Sequence, residues 1–201
     1  FWLADTWWMA FTRRLVWPDE FARLTEDRAR KGFSVIQVVA GPLPDYDAPG
    51  QAFDARQADE AGWPWEPGWG RIDPAFYDRV DRRINHLLEH GLVPCITGMW
   101  AYWALAMGEH RVRQHWRYLV ARYGAWPVVW CVAGETAMPT YHTVFQNDAT
   151  TIEREVLEQK AIWSRMAAYI HGIDPYHNPI TIHTKAPGGS RLDVAPGTSL
   201  E

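Results

Sequence analysis

The sequence predicts an α/β fold of the (β/α)8 TIM-barrel type, of which residues 1–201 carry roughly the first five β/α units. Short apolar segments alternate with helical segments along the chain, as in a parallel sheet whose strands are joined by helices. No Gly-rich turn follows the first strand and no P-loop occurs, which argues against an open nucleotide-binding sheet. Polar and aromatic residues end the predicted strands, where a barrel forms its active-site mouth.

Five strands and four helices follow from apolar runs, helical periodicity and helix end signals. We predict strands at 1–5, 33–40, 92–100, 127–135 and 179–184, and helices at 17–32, 72–91, 108–124 and 150–174. The first helix begins with Pro18 and acidic residues and ends with basic residues before Gly32. The second helix ends at Gly91. A Pro-, Gly- and Trp-rich excursion at 41–72 precedes that helix.

Length and composition narrow the function classes. A chain of 201 residues suits one core, so we expect a single domain. The net charge of -4 leaves no basic stripe for phosphates, and we expect no nucleic-acid partner. The longest apolar runs have 8 or 9 residues. Because roughly 20 are needed to span a bilayer, we expect no membrane partner. Cys95 and Cys131 lie in predicted strands and are expected to be free, buried thiols.

Polar or aromatic side chains stand near the end of each predicted strand. They are Asp5, Trp7, Trp8, Gln37, Trp100, Glu135 and His183. In a β/α barrel the strand ends form one ring around the mouth, so we expect these residues to meet. Trp65 and Trp69, in the excursion segment GWPWEPGWG (62–70), are expected to offer flat surfaces for stacking on a ligand. Alternatively, these tryptophans fix a long loop onto the domain.

Glu135 is the candidate acid of this ring. It ends the apolar run PVVWCVAGE (127–135), at the rim rather than in the core of a barrel. Burial among tryptophans disfavours the charged form of a carboxyl and raises its pKa, which makes a Glu a proton donor near neutral pH. Gly134 leaves room for the backbone or a ligand to approach. Alternatively, Glu135 caps the next helix or pairs with an Arg.

Five segments follow one another along the chain: FWLADTWW, KGFSVIQVVA, GLVPCITGMW, RYGAWPVVWCVAGE and ITIHTKAPGGSR. In order and spacing they resemble the apiosidase-like glycoside hydrolases, and the resemblance covers nearly the whole chain. It implies a β/α barrel that cleaves apiose-containing side chains of plant pectin with two catalytic carboxylates. Related barrels carry the acid/base after strand 4 and the nucleophile after strand 7. The resemblance also favours a secreted or periplasmic location.

The resemblance assigns roles to single residues. Glu135 matches the strand-4 acid/base, although the family often has Gly-Gly-Asp where this chain has Ala133, Gly134 and Glu135. The positions that the resemblance places around the sugar are Asp5, Trp7, Gln37, Trp100 and His183. We expect Trp100, Trp8 and the aromatics at 63–69 to provide stacking platforms.

Strands 6 to 8 of a barrel have no counterpart in the sequence shown, so no residue here matches the strand-7 nucleophile. We therefore expect residues 1–201 to be the N-terminal major part of a single barrel, with the remainder on a segment or chain not shown. A carbohydrate substrate is the expected partner. The main alternative is a carbohydrate-binding barrel that has lost catalysis, because the same Trp-rich mouth would serve both.

Two histidine patterns raise the alternative of a metal site. HLLEH (86–90) fits the H-x-x-E-H zinc motif, but His86 and His90 are expected on the side of the barrel away from the mouth, at a helix C-terminus that favours His. A set of His142, His183 and Asp5 fits no known spacing of metal ligands. We therefore expect no metal and no cofactor.

Overall fold

Five short strands form one parallel sheet in the computed structural model of the chain, which describes residues 2–44, 57–136, 138–140, 143 and 148–184. The strands are β1 (Ala4–Trp7), β2 (Val35–Val39), β3 (Val93–Thr97), β4 (Val129–Cys131) and β5 (Ile180–Thr181). Their spatial order is β1-β2-β3-β4-β5, and every neighbouring pair is parallel. All five lie inside or overlap the predicted segments and are shorter than predicted.

Helices join successive strands, as parallel pairing requires. They are α1 (Asp19–Arg30), α2 (Pro74–Glu89), α3 (Trp103–Met107), α4 (Glu109–Tyr123) and α5 (Ala149–Ile173), with a 3-10 helix at Pro67–Trp69. Asp73 accepts a hydrogen bond from the Ala75 amide and so caps α2. Four of these helices match the predicted ones, and the five-residue α3 is additional. None of the helices in the described ranges is long and apolar enough to cross a membrane.

The main hydrophobic core lies between the sheet and the helices. The residues buried on this side include Ile36, Val38, Ile96 and Trp130 of the strands, and Val132 just after β4. On the other side, here called the inner face, a small second cluster contains Val35, Cys95, Val129 and Cys131. Both cysteines are free and buried, as predicted. Among the described residues the helices pack on one side only, which is the arrangement of a β/α barrel wall and not of a doubly wound sheet.

Residues 57–72 of the excursion belong to the packed domain. The indole N–H of Trp65 donates to Nδ1 of His115, on α4, at 3.1 Å, and Nε2 of His115 lies 2.8 Å from the Gly98 carbonyl, just after β3. Full burial of His115 lowers its pKa to about 4, so the ring is neutral. A neutral imidazole whose Nδ1 accepts must carry its proton on Nε2, which then donates to Gly98.

Candidate active site

Glu135 lies in an irregular continuation of β4 that both neighbouring strands hold. On the β3 side, the Gly134 amide donates to the Met99 carbonyl at 3.0 Å. On the β5 side, the Thr136 amide donates to the His183 carbonyl at 3.0 Å. Glu135 itself has a φ of 46°, a left-handed conformation that is uncommon for a residue with a side chain. The backbone therefore fixes Glu135 at the carboxyl-terminal end of the sheet.

The indole of Trp100 occupies the space that Gly134 leaves open. A Cβ atom added to Gly134 would lie 2.4 Å from Cε3 of Trp100, much closer than van der Waals contact. Trp100 also forms a parallel bridge with Gly134 and is only 1% exposed. The glycine next to Glu135 thus admits a buried aromatic ring rather than a ligand.

The carboxyl of Glu135 is half-buried beside this ring, and burial raises its pKa because the charged form loses hydration. The indole N–H of Trp100 opposes part of this effect from nearby, although it does not reach full hydrogen-bond geometry. The raised pKa keeps a larger fraction of Glu135 protonated at a given pH than an exposed Glu would have. Such a carboxyl can donate a proton.

Three rings from three different strand ends meet beside Glu135, and we call them the aromatic corner: Trp8, Trp100 and His183. Trp8 stands edge-on to both others, with ring centroids 4.9 Å from Trp100 and 5.0 Å from His183. Burial lowers the pKa of His183, so its imidazole is neutral at neutral pH. The corner therefore combines flat apolar surface with a neutral ring whose nitrogens can exchange hydrogen bonds with hydroxyl groups.

Gln37 lies on the inner face, linked to the corner through Cys131. Its Oε1 accepts from the Thr6 hydroxyl at 3.3 Å, and its Nε2 donates to Sγ of Cys131 at 3.2 Å. Cys131 in turn lies against the backbone of His183. The predicted residues that the structure brings together are therefore Trp8, Gln37, Trp100, Glu135 and His183.

Asp5 and Trp7 lie on the other side of the sheet, which corrects the expectation that they join this ring. The Asp5 carboxylate accepts from Nε of Arg28, on α1, at 2.6 Å and from the Trp7 indole at 2.9 Å. Trp7 packs edge-on against Phe21 of α1, with centroids 5.8 Å apart. Burial opposes ionisation of Asp5, but these donors outweigh it and lower its pKa. Asp5 and Trp7 face the same side of the sheet because side chains alternate between the two faces along a strand, so that residues two apart share a face.

Trp65 and Trp69 also lie away from the corner. Trp65 is 1% exposed, which leaves no face on which a sugar could stack. The Trp69 ring is partly buried, with centroids 6.3 Å from Trp65 and 5.8 Å from Trp103 of α3. Both rings thus hold the excursion against α3 and α4, which is the alternative role stated above.

The HLLEH motif, which raised the alternative of a metal site, has no third metal ligand nearby among the described residues. His86 and His90 have ring centroids 4.2 Å apart near the end of α2, and His86 packs against Trp17 and Phe21. Within the described ranges no group of three or more His, Cys, Asp or Glu side chains could hold a metal ion. His142 lies outside the described residues.

Two side chains of α5 that were not among the predicted site residues contact the segment after Glu135. Nε2 of Gln159 donates to the Met138 carbonyl at 2.6 Å, and Oε2 of Glu155 accepts from the Thr140 amide at 2.8 Å. One sequence pattern could have indicated Gln159: helical spacing places this polar residue in line with the apolar Trp163, which is buried.

The sequence of the chain matches the model of a family described as "Apiosidase-like, catalytic domain" over residues 1–195. The chain belongs to the apiosidase-like family. Trp8, Trp100, Glu135 and His183 all lie inside the matched range, so the corner and the candidate acid belong to the part of the chain that matches the family's catalytic domain. A comparison with curated proteins gives no match for this apiosidase-like chain.

Solved structures similar to the apiosidase-like chain are glycoside hydrolases, and they confirm the TIM-barrel type of fold. One described as a glycoside hydrolase has a TM-score of 0.64 at 21% identity, covering 92% of this chain and 37% of its own. A glycoside hydrolase family 5 protein from Bacteroides vulgatus ATCC 8482 has a TM-score of 0.64 at 18% sequence identity, and the match covers 92% of this chain and 36% of that one. PbGH5A, a glycoside hydrolase family 5 enzyme from Prevotella bryantii B14, has a TM-score of 0.59 at 11% sequence identity, and the match covers 97% of this chain and 58% of that one. The chain thus spans a little over a third of the first two structures.

Proposed function

We propose that the protein is a glycoside hydrolase that acts on oligosaccharides or polysaccharides of the plant cell wall, with apiose-containing pectin side chains as the substrate. The observation that carries the proposal is Glu135. It is a half-buried carboxyl with a raised pKa at the end of β4, beside the aromatic corner, in a chain of the apiosidase-like family. The likeness to glycoside hydrolases supports it at the level of fold.

Glu135 acts in this proposal as the acid/base. Hydrolysis of a glycosidic bond needs one carboxyl to protonate the leaving oxygen and a second carboxylate across the sugar ring. A separation of about 5 to 5.5 Å between the two gives retention of configuration, and a wider gap admits water and gives inversion. The second carboxylate is proposed to follow strand 7, on the part of the barrel that is not in this sequence.

The aromatic corner is proposed as the sugar-binding surface. Sugar rings present C–H groups that pack on flat apolar surfaces, and the partly exposed Trp8 is proposed to offer such a surface. The buried Trp100 supports the Trp8 ring edge-on, at 87° between the ring planes. The neutral His183 ring and the Gln37 amide are proposed to exchange hydrogen bonds with sugar hydroxyls. Asp5, Trp7, Trp65 and Trp69 are left out of the proposed surface. Asp5 and Trp7 contact α1, and Trp65 and Trp69 pack against α4 and α3.

Glu135→Gln tests the role of the acid, because the amide keeps the shape of the side chain but cannot donate a carboxyl proton. We expect turnover of natural glycans by the protein that carries this chain to fall by about 100-fold or more. An activated aryl glycoside, whose leaving group needs little protonation, should lose much less. Sugar release from both substrates is measured by chromatography, with apiose-containing pectin fragments in the glycan panel.

The matched control is Glu158→Gln, which makes the same chemical change on an exposed face of α5. Its turnover should equal that of the wild type. Unchanged glycan turnover by Glu135→Gln would exclude Glu135 as the acid. If neither wild type nor variant releases sugar but both bind glycans, the protein is a carbohydrate-binding barrel.

A further inference from the structure

A stripe of α5 that packs on the core changes from apolar to polar toward the start of the helix. Trp163, Met166 and Ile170 are fully buried on this stripe. One turn earlier the same line of the helix carries Gln159, and a further turn earlier Glu155. A fully buried Gln in line with core residues is unusual unless its amide has a specific partner. The partners of both polar side chains lie in the segment that follows Glu135.

Gln159 binds this segment through one strong hydrogen bond. Its Nε2 donates to the Met138 carbonyl at 2.6 Å, and the side chain has no exposed surface. Its Oε1 is buried and has no hydrogen-bond partner. A buried amide with an unsatisfied oxygen costs stability, so core packing alone would favour an apolar residue here. The donor to Met138 is the feature that an apolar residue would lose.

Glu155 binds the same segment one helical turn away. Its carboxylate accepts from the Thr140 amide at 2.8 Å and from the Thr143 hydroxyl at 2.7 Å. Residues four apart on a helix lie one above the other, so Gln159 and Glu155 form two successive attachment points on α5. Together they hold residues 138–140 and 143 against the helix.

Met138 connects these attachment points to Glu135. The Met138 amide donates to the carbonyl of Glu135 at 3.0 Å, so one residue is bonded to Gln159 on one side and to Glu135 on the other. Glu135 has the left-handed φ of 46°, which a residue with a side chain keeps only where the surroundings hold it. Thr136, by its amide and hydroxyl, holds the other side of this turn through the His183 carbonyl.

We propose that Gln159 is a positioning residue for Glu135, which fixes the strained turn at the end of β4 through Met138 and so holds the carboxyl beside Trp100. This proposal rests on the proposed function of Glu135 as the acid/base. Gln159 touches no substrate in it and acts only through its hydrogen bond to Met138, whose amide is bonded to the Glu135 carbonyl.

Gln159→Met tests the proposal, because methionine keeps the length and apolar stem of the side chain and removes the amide, and with it the hydrogen bond to Met138. The amide oxygen that is also lost has no partner. We expect kcat to fall by about 10- to 100-fold, as small misplacements of a catalytic group do, with KM within about twofold. A relaxed turn also exposes the Glu135 carboxyl to water. Its pKa should then fall, and the basic limb of the pH–rate profile should move to lower pH.

Three measurements are made on the protein that carries this chain: kcat and KM against pH, Tm, and titration of the Glu135 carboxyl carbon by NMR. The matched control is Ile162→Val, which trims a buried side chain of the same helix without removing a hydrogen bond. It should lower Tm slightly and leave the pH profile and the Glu135 titration unchanged. If Gln159→Met does the same as this control, Gln159 is merely structural and the proposal is overturned.

A second variant keeps the test decisive if Gln159→Met does not fold. Gln159→Glu keeps the size of the side chain and retains a donor only while its own carboxyl is protonated, so its turnover relative to wild type should recover toward acid pH. Uniform loss at every pH would contradict the proposal. The NMR titration needs no turnover, so it still tests positioning if Glu135→Gln shows that the proposed function is wrong.

Discussion

Two carboxyl groups in the described residues, Glu135 and Asp59, have pKa values raised by burial. Their surroundings make Glu135 a candidate acid, whereas the burial of Asp59 only lowers the stability of the fold. Glu135 lies beside three rings at the ends of strands, where a ligand can approach. Asp59 has no exposed surface. Its Oδ1 accepts from the Ala61 and Gly62 amides at 2.6 and 3.0 Å, and its Oδ2 has no partner. A raised pKa alone therefore does not identify a functional group, and the position in the fold decides.

Asp59→Asn should stabilise the protein at pH 7.5. Burial is the main cause that raises the pKa of Asp59 to about 6 from 3.8, with Glu60 adding to it, and the two amides and Arg83 oppose it. The folded state thus holds a proton that the unfolded state releases, so stability falls as pH rises from 3.8 through 6. An Asn oxygen keeps both amide contacts without the charge. Denaturant unfolding should show a gain of about 1 to 2 kcal/mol at pH 7.5 and little change at pH 4.

The control for this prediction is Glu60→Gln, on the neighbouring residue. Glu60 accepts from the buried Arg83 guanidinium at 2.9 Å. Its removal should lower stability at pH 7.5, since it leaves a buried charge unpaired. An Asp59→Asn variant with the same stability difference at both pH values would contradict the assigned cause.

At the scale of elements, the end of α5 is joined to β4 and to the turn before β5 by one buried carboxylate. Asp174 follows α5 and accepts from the Trp130 indole of β4 at 2.8 Å and from the Tyr176 and Asn178 amides at 3.0 and 2.9 Å. Burial opposes its ionisation, but these donors outweigh it and lower its pKa. These hydrogen bonds to Asp174 fix the position at which β5 begins, and hence the position of His183.

Asp174→Ala should destabilise the protein by about 2 to 4 kcal/mol, because it leaves several buried donors unpaired. The folded-state pKa is lowered, so this stabilisation is present above the ordinary pKa of 3.8 and is lost as pH falls below it. Urea unfolding at pH 7 measures the change. Asp148→Ala, at the exposed start of the same helix, is the control and should cost about 1 kcal/mol. Equal losses of unfolding free energy in the two variants would contradict the stabilising role assigned to the hydrogen bonds of Asp174.

The positions of the strands were predictable because buried parallel strands are continuous apolar runs, as in FSVIQVVA. The side that each strand-end residue faces was not. In β1, Asp5 and Trp7 face α1, whereas Trp8, just past the strand, reaches the corner. The role of Gln159 was also beyond local patterns, since it depends on a contact 21 residues away along the chain.

At the scale of the whole molecule, the sheet has two open edges among the described residues. β1 pairs with β2 alone and β5 with β4 alone, so each carries a row of backbone groups without a strand partner there. Trp2 and Leu3, which precede β1, are 49% and 40% exposed. Exposed edges next to apolar side chains favour pairing with further strands. Closure of such an arc into a barrel removes both edges.

We propose that further polypeptide, on the same chain or another, supplies the strands between β5 and β1. Backbone amides at both edges should then exchange with deuterium as slowly in the natural protein as those of the central strand β3, because closure gives them partners. In the isolated 201-residue chain the peptides covering 2–8 and 179–184 should exchange much faster than the one covering 93–97. Mass spectrometry of both preparations makes the comparison. Equal protection of the edges and the centre in the isolated chain would contradict this proposal, because it would mean that the five-stranded sheet needs no further strands.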